Sequence, residues 1–190
     1  MSTLGYFKCR DSAADPKFAT LGSACFDIAA CLEPNQSVGA YNANNDKHDL
    51  TIKNIWPPKA PSPMPCLDIE PMSRVLIPTG LIMDIPRGYS VRIHPRSGMS
   101  LKSGIVLANS EGVVDSDYVN EMMIMILNIS SKTIRIQNGD RIAQAELCEN
   151  VICKICESTS PPKRKTDRDG GFGSTGVNDN EQISTTATPF

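Results

Sequence analysis

Several things are scarce in this 190-residue chain, and each scarcity excludes something. Aromatic residues make up only 5% of it, so large anchors for a core are few. Excess charge of either sign is missing: Lys and Arg number 19 against 21 Asp and Glu, a formal net charge of −2. That balance argues against a basic surface built to hold a nucleic-acid duplex, while leaving room for a small polyanion at one local site. No run approaches the ~18 apolar residues that a membrane span requires, and the longest, residues 122–127, is strand length. Residues 1–10 lack the apolar core of a secretion signal, so the chain reads as cytoplasmic, with no membrane partner. Histidine occurs twice, at His48 and His94, far from most of the cysteines.

What is present fits one domain with an apolar core, since hydrophobic residues reach 40%. Seven cysteines, an odd number without a secretion signal, suit reduced thiols. Cys153 and Cys156 form C-x-x-C, but no second pair or nearby histidine completes a zinc site, and buried or half-buried thiols are expected.

The periodicity is that of strands and turns. Leu81, Met83 and Ile85 alternate with Ile82 and Asp84, then Val91 and Ile93 alternate with Ser90, Arg92 and His94. Residues 133–137 alternate again, and Asn138-Gly139 is the strongest hairpin signal in the chain. Ala143, Ala145 and Leu147 share a strand face, and the unbroken apolar run 122–127 reads as a strand buried on both sides. The expected class is all-β, a sandwich or barrel, with one helix over residues 97–103 stopped by Gly104. Residues 34–70, polar and carrying five prolines between Pro57 and Pro65, read as a peripheral loop or excursion near Trp56 rather than central sheet. This layout gives a β domain over 1–156 with an insertion at 34–70, a linker at 157–167, a glycine-rich arm at 168–176 and a frayed tail at 177–190. The Lys163-Arg164-Lys165 cluster in the linker reads as a solvated charge run rather than a nuclear address.

Five short stretches carry chemistry. In residues 168–176, four glycines let backbone N–H groups crowd a phosphate, Arg168, Ser174 and Thr175 add donors, and Phe172 offers a flat face for a base. Their bland alternative is a flexible tail. In residues 95–100, Arg96 and Ser97 open the helix, where an anion is favoured, although Ser97 can equally serve as an ordinary cap. Asn109 and residues 112–118 set Asp115 and Asp117 two apart; they line a turn, or Asp115, following two valines, is partly desolvated and serves as a base. Gln144 sits among small residues on a strand, and Asp27 stands alone in an apolar one, where it needs a partner or cation.

Each stretch is weak alone, but all five occur once and in one order. That ordered set, residues 24–30, 95–100, 109–118, 139–144 and 168–176, resembles the homotrimeric dUTPase family. The resemblance implies a jelly-roll-like β subunit with a flexible C-terminal arm, which trimerises and builds its active sites at subunit interfaces. The reaction it implies is hydrolysis of dUTP to dUMP and pyrophosphate with Mg²⁺, keeping dUTP low and supplying dUMP for thymidylate synthesis. It casts Asp115 as the base that activates water for in-line attack on the α-phosphorus, with Gln144 positioning that water. Asp27 would act on Mg²⁺ through its water shell, and Arg96, Ser97 and Gly98 would hold phosphates. Asn109 and the backbone at Gly112 would read uracil, Tyr118 would pack on deoxyribose, Phe172 would stack on the base, and Arg168, Gly173, Ser174 and Thr175 would close on the phosphates.

Two departures stand out: Asn120 where the family usually has glycine, and a long connection between Ala30 and Arg74. Among rivals, dCTP deaminase shares the fold but places a glutamate where this chain has Met125. A regulatory protein that keeps the fold as a switch is the other class, and the 34–70 insertion is the feature that would carry a protein partner.

Overall fold

The computed structural model describes residues 2–57 and 61–166. In chain order the elements are β1 (Gly5–Lys8), β2 (Lys17–Phe18), β3 (Phe26–Ala29), β4 (Ser37–Tyr41), β5 (Lys47–Thr51), β6 (Lys53–Ile55), β7 (Met64–Ile69) and β8 (Arg74–Pro78). There follow β9 (Leu81–Asp84), β10 (Tyr89–His94), α1 (Ser97–Ser103), β11 (Ile105–Leu107), β12 (Gly112–Val114), β13 (Met123–Asn128), β14 (Ile134–Gln137) and β15 (Arg141–Glu149). One five-stranded sheet runs β12-β10-β15-β3-β2 and a second runs β11-β13-β8-β4-β5. A three-stranded sheet, β14-β7-β6, and the pair β1-β9 complete the jelly-roll-like, all-β architecture. All ladders are antiparallel. The chain divides into two compact units at Ile152/Cys153, and no strand or helix occurs among the described residues of the second. No helix among the described residues is long and apolar enough to cross a membrane.

One face of each main strand feeds a single core. Ile28, Val91, Ile93 and Ala145 from the first sheet, Val38, Ala40, Val75, Ile77, Ile124 and Ile126 from the second, and Leu67, Ile69 and Ile136 from the third are all buried in it. Asn128, fully buried at the end of β13, satisfies its whole amide. Its Nδ2 donates to the carbonyls of Ile69 and Lys132, and its Oδ1 accepts from the Ser130 backbone N–H and hydroxyl. A buried amide with every donor and acceptor used fixes the loop after β13 without a desolvation penalty left over. The expected helix forms over Ser97–Ser103, and Gly104, at φ 66°, ends it in the left-handed region.

Four expectations change. Asn138-Gly139 does make a turn, with Gly139 at φ 84°, but not a hairpin. β14 pairs with β7, whereas β15 pairs with β10 and β3, so the turn hands the chain from one sheet to another. Long-range bonds hold it there: Gly139 N–H to the Ala30 carbonyl at 2.9 Å, and Leu32 N–H to Asn138 Oδ1 at 2.8 Å. Residues 34–70 are not a loop, because they supply β4, β5, β6 and β7. β4 lies between β8 and β5 and contributes Val38 and Ala40 to the core, while Trp56 is 67% exposed. The run 122–127 is buried on one face only, since Met125 is exposed. Cys153 and Cys156 are exposed rather than buried.

Candidate active site

The motif residues gather in two separate hollows. The first, about 300 Å³, lies where β12 meets β13 and is lined by Asn109, Gly112, Asp115, Tyr118 and Met122 to Met125, with Leu76 and Leu107. Gly112 makes the close approach possible: a Cβ there would sit 3.1 Å from Ile93 Cβ on the neighbouring strand. Asp115 opens the turn after β12, which closes with Tyr118 N–H on the Asp115 carbonyl at 3.1 Å. The Tyr118 hydroxyl donates to the Glu121 carbonyl at 3.1 Å, pinning the ring at the rim. The hollow thus combines apolar walls with the Asn109 amide and the Asp115 carboxylate, a volume and chemistry suited to a base and a sugar. Asp115 is exposed in the single chain, so the flanking valines do not desolvate it as expected; Gly112 and Val114 turn inward and leave the next residue outside.

The second hollow, about 620 Å³, lies between β3, the start of α1 and β15. Asp27, Arg96, Ser97, Gly98, Lys102, Arg141 and Gln144 line it, making it cationic on balance. Asp27 ties the cations together: Oδ1 takes Arg96 Nε at 2.9 Å and Oδ2 takes Arg141 Nη1 at 2.8 Å. Arg96 Nη1 donates to the Arg141 carbonyl at 2.9 Å. A guanidinium has five N–H donors, so Arg96 keeps several for an anion while its position is fixed. Gln144 Nε2 donates to the Pro95 carbonyl at 3.0 Å, which leaves its Oε1 as the acceptor end. Gln144 is the ladder partner of both Asp27 and His94, so the three lie in one row across the sheet. Cys25 also lines this hollow, but burial, reinforced by the Glu146 charge, pushes its thiol pKa up and disfavours the nucleophilic thiolate.

Within one chain these hollows do not meet, and they have no lining residue in common. Val114 is level with Leu147, three residues along β15 from Gln144 and two ladder steps across. Asp115, one residue further on, is four residues along and two strands across from Gln144, which at about 3.3 Å per residue and 4.8 Å per strand is roughly 16 Å, too far to share one water. Arg168, Phe172, Gly173, Ser174 and Thr175 lie outside the described residues.

Metal binding is constrained by the donor set. Among the described residues no group of three or more His, Cys, Asp or Glu is gathered as a metal cage. Among the described residues Asp27 is the one carboxylate lining the cationic hollow, and each of its oxygens already accepts from an arginine. A cation caged by protein carboxylates does not fit, whereas a hydrated Mg²⁺ carried on a ligand's phosphates, touching Asp27 through water, does.

Sequence reasoning assigned no role to Arg141 or Lys102. Arg141 stood inside residues 139–144, and its role depends on a cross-strand neighbour that spacing along the chain does not reveal. Lys102 follows Gly98 by four residues on the short helix, so helical spacing did carry a signal.

Known proteins resemble this chain in sequence and in fold. The model of the dUTPase family matches residues 66–176. The deoxyuridine 5'-triphosphate nucleotidohydrolase of Finegoldia magna is 38% identical over 164 residues, covering 85% of this chain and 90% of that protein. Its counterpart in a Hydrogenobaculum species is 39% identical over 170 residues, covering 90% and 95%. Among solved structures, the dUTPase of Staphylococcus bacteriophage 80alpha superposes with a TM-score of 0.68 at 20% identity, over 93% of this chain and all of that one, a likeness of fold. The matched segment takes in both hollows' principal residues apart from Asp27, and the chain belongs to the dUTPase family.

Proposed function

We propose that this protein hydrolyses dUTP to dUMP and pyrophosphate at sites shared between three copies of the chain. The observation that carries the reading is the division of the motif residues into two complementary half-sites about 16 Å apart, one shaped for a nucleoside and one charged for phosphates. Neither is sufficient alone. A neighbour that docks its cationic hollow over the β12 hollow would bring Asp115 and Gln144 to one water and would remove Asp115 from solvent.

In that assembled site the uracil edge meets the Asn109 side chain and the backbone at Gly112, and the deoxyribose packs on Tyr118, where a ribose 2′-hydroxyl would clash. Arg96, with the backbone of Ser97 and Gly98, holds the phosphates. Asp115 accepts a proton from water as its oxygen attacks the α-phosphorus in line, and Gln144 Oε1 orients that water. The bond to the bridging oxygen breaks and pyrophosphate leaves with the electron pair. Catalysis then rests on water placement and on donors aimed at charge developing on the phosphates, since holding uracil tightly does not by itself lower the barrier. Mg²⁺ on the triphosphate would supply further charge neutralisation, with Asp27 as its protein contact through water; a fold relative, the dUTPase of phage phi11, is described as coordinating a structural Mg(II) ion. The arm at residues 168–176 would close over the bound nucleotide, Phe172 on the base and Arg168, Gly173, Ser174 and Thr175 on the terminal phosphates.

The test is pyrophosphate release measured with dUTP, dTTP, dCTP and UTP. Turnover confined to dUTP is expected. Ammonia release from dCTP, or equal turnover of UTP, would overturn the proposal.

A further inference from the structure

The hairpin β4–β5 belongs to the segment outside the family match, and neither half-site uses it. It is nevertheless rigidly built. Asn42 Oδ1 accepts from the N–H groups of Asn44 and Asp46, each at 2.9 Å, and Asn42 Nδ2 donates to Asp46 Oδ2 at 3.1 Å. This wrapping sets Asn45 in the left-handed region, φ 67°, and its Oδ1 accepts from Arg74 Nη2 on β8. Arg74 is held on a second side as well, its guanidinium 5.3 Å from the Tyr41 ring centroid.

The ladder puts Lys47, Tyr41 and Arg74 in one row on the outer face of the sheet. In the next row, Gly39 has no side chain, and a Cβ placed there would meet nothing within 4 Å. The gap widens into a hollow of about 620 Å³ whose far wall is Leu76 and Met125, 38% and 42% exposed. Among the described residues neither Lys47 nor Arg74 is ion-paired. Asp49, across from Gly39, is the acid nearest this row in the ladder. Lys47 and Arg74, in no ion pair and outnumbering Asp49 on this face, complement a carboxylate next to a large apolar side chain. A nucleotide fits less well, because the far wall, Leu76 and Met125, is apolar and offers a base edge no hydrogen bond, and the Asn45 acceptor is already taken by Arg74.

We propose that this face docks an acidic segment of a partner protein, with a carboxylate on Arg74 and Lys47 and an apolar side chain over Gly39. Leu76 and Met125 also line the nucleoside hollow, so the docked segment and the nucleotide share a wall.

The probe is a fluorescent, end-blocked pentapeptide of one leucine flanked by aspartates and glutamates, titrated by anisotropy against the full chain. Binding is expected, falling about tenfold in Arg74→Gln and in Lys47→Gln and abolished in Gly39→Val, which fills the gap. Peptides with serine for leucine, or lysine for the acids, should not bind, and dUTP turnover should stay within about twofold in all three variants. Equal affinity across the variants, binding of the lysine peptide, or no binding of the acidic one would overturn the proposal. So would a change in assembly mass by light scattering in Gly39→Val or Lys47→Gln, because the face would then lie between copies of this chain. Lys47 lies on an exposed edge strand, so its variant keeps the test decisive if Gly39→Val folds poorly.

Discussion

Arg96 and Asp27 hold each other, guanidinium Nε to carboxylate Oδ1 at 2.9 Å, joining the residue before α1 to the outer face of β3. The carboxylate that a metal would touch through water is therefore also the group that orients the phosphate-binding arginine. The two duties need not conflict, since each oxygen has a second lone pair, but they couple the arginine's position to the cation's charge.

Substituting Asp27→Asn removes the charge while keeping the shape. The expected result is a fall in turnover of about tenfold to a hundredfold, with more Mg²⁺ needed for half-maximal rate. Steady-state rates across a Mg²⁺ titration check this; an unchanged Mg²⁺ dependence would confine Asp27 to holding Arg96 and Arg141.

Asp115→Asn should bind dUTP normally yet turn over about a hundredfold to ten-thousandfold more slowly, the range for loss of a general base. Calorimetric binding alongside single-turnover kinetics separates the two effects. Near-normal rates would remove Asp115 as the base.

Deleting residues 166–190 should leave the circular dichroism spectrum and the sedimentation of the assembly unchanged. Turnover should drop by at least about a hundredfold, because the groups that complete the site and exclude water are gone. Wild-type kinetics in the shortened chain would sink the closing-arm reading.

Acid stability has an identifiable contributor in Asp68, whose carboxylate takes Arg135 Nε at 2.7 Å and Nη2 at 2.9 Å across the β7–β14 ladder. The Arg135 hydrogen bonds hold the Asp68 carboxyl below its usual range. A depressed carboxyl pKa stabilises the fold above the unfolded value of about 3.9, and that stabilisation disappears as the pH drops through the folded value. Melting temperatures measured from neutral pH down past that value should decline less steeply in Asp68→Asn than in the wild type. Parallel declines would show that the pair contributes nothing.

Local chemistry was legible in the sequence, and pairing was not. The helix at 97–103 and its glycine stop, and the alternation through 81–94, depend on neighbours a few residues apart, and the structure has them. Asn138-Gly139 obeys the same local rule as a turn, yet the partner of each flanking strand is fixed by Ala30, Leu32 and β7, more than sixty residues away. In residues 34–70 the prolines fall mostly between β6 and β7, and their weight hid the alternation of Val38 and Ala40 with Ser37, Gly39 and Tyr41. The motifs up to residue 144 named residues that line the two hollows, whereas their sorting between the hollows follows from a sheet order of β12-β10-β15-β3 that no single stretch encodes.

That separation has a genetic consequence. Under the shared-site reading, each chain lends its nucleoside hollow to one site of the trimer and its cationic hollow to another. Two alleles, one carrying Asp115→Asn and the other Arg96→Gln, would each be inactive when homozygous. Co-assembled, they would rebuild some intact sites and recover part of the activity. A chain bearing both substitutions would poison two sites of its trimer and act as the more dominant allele.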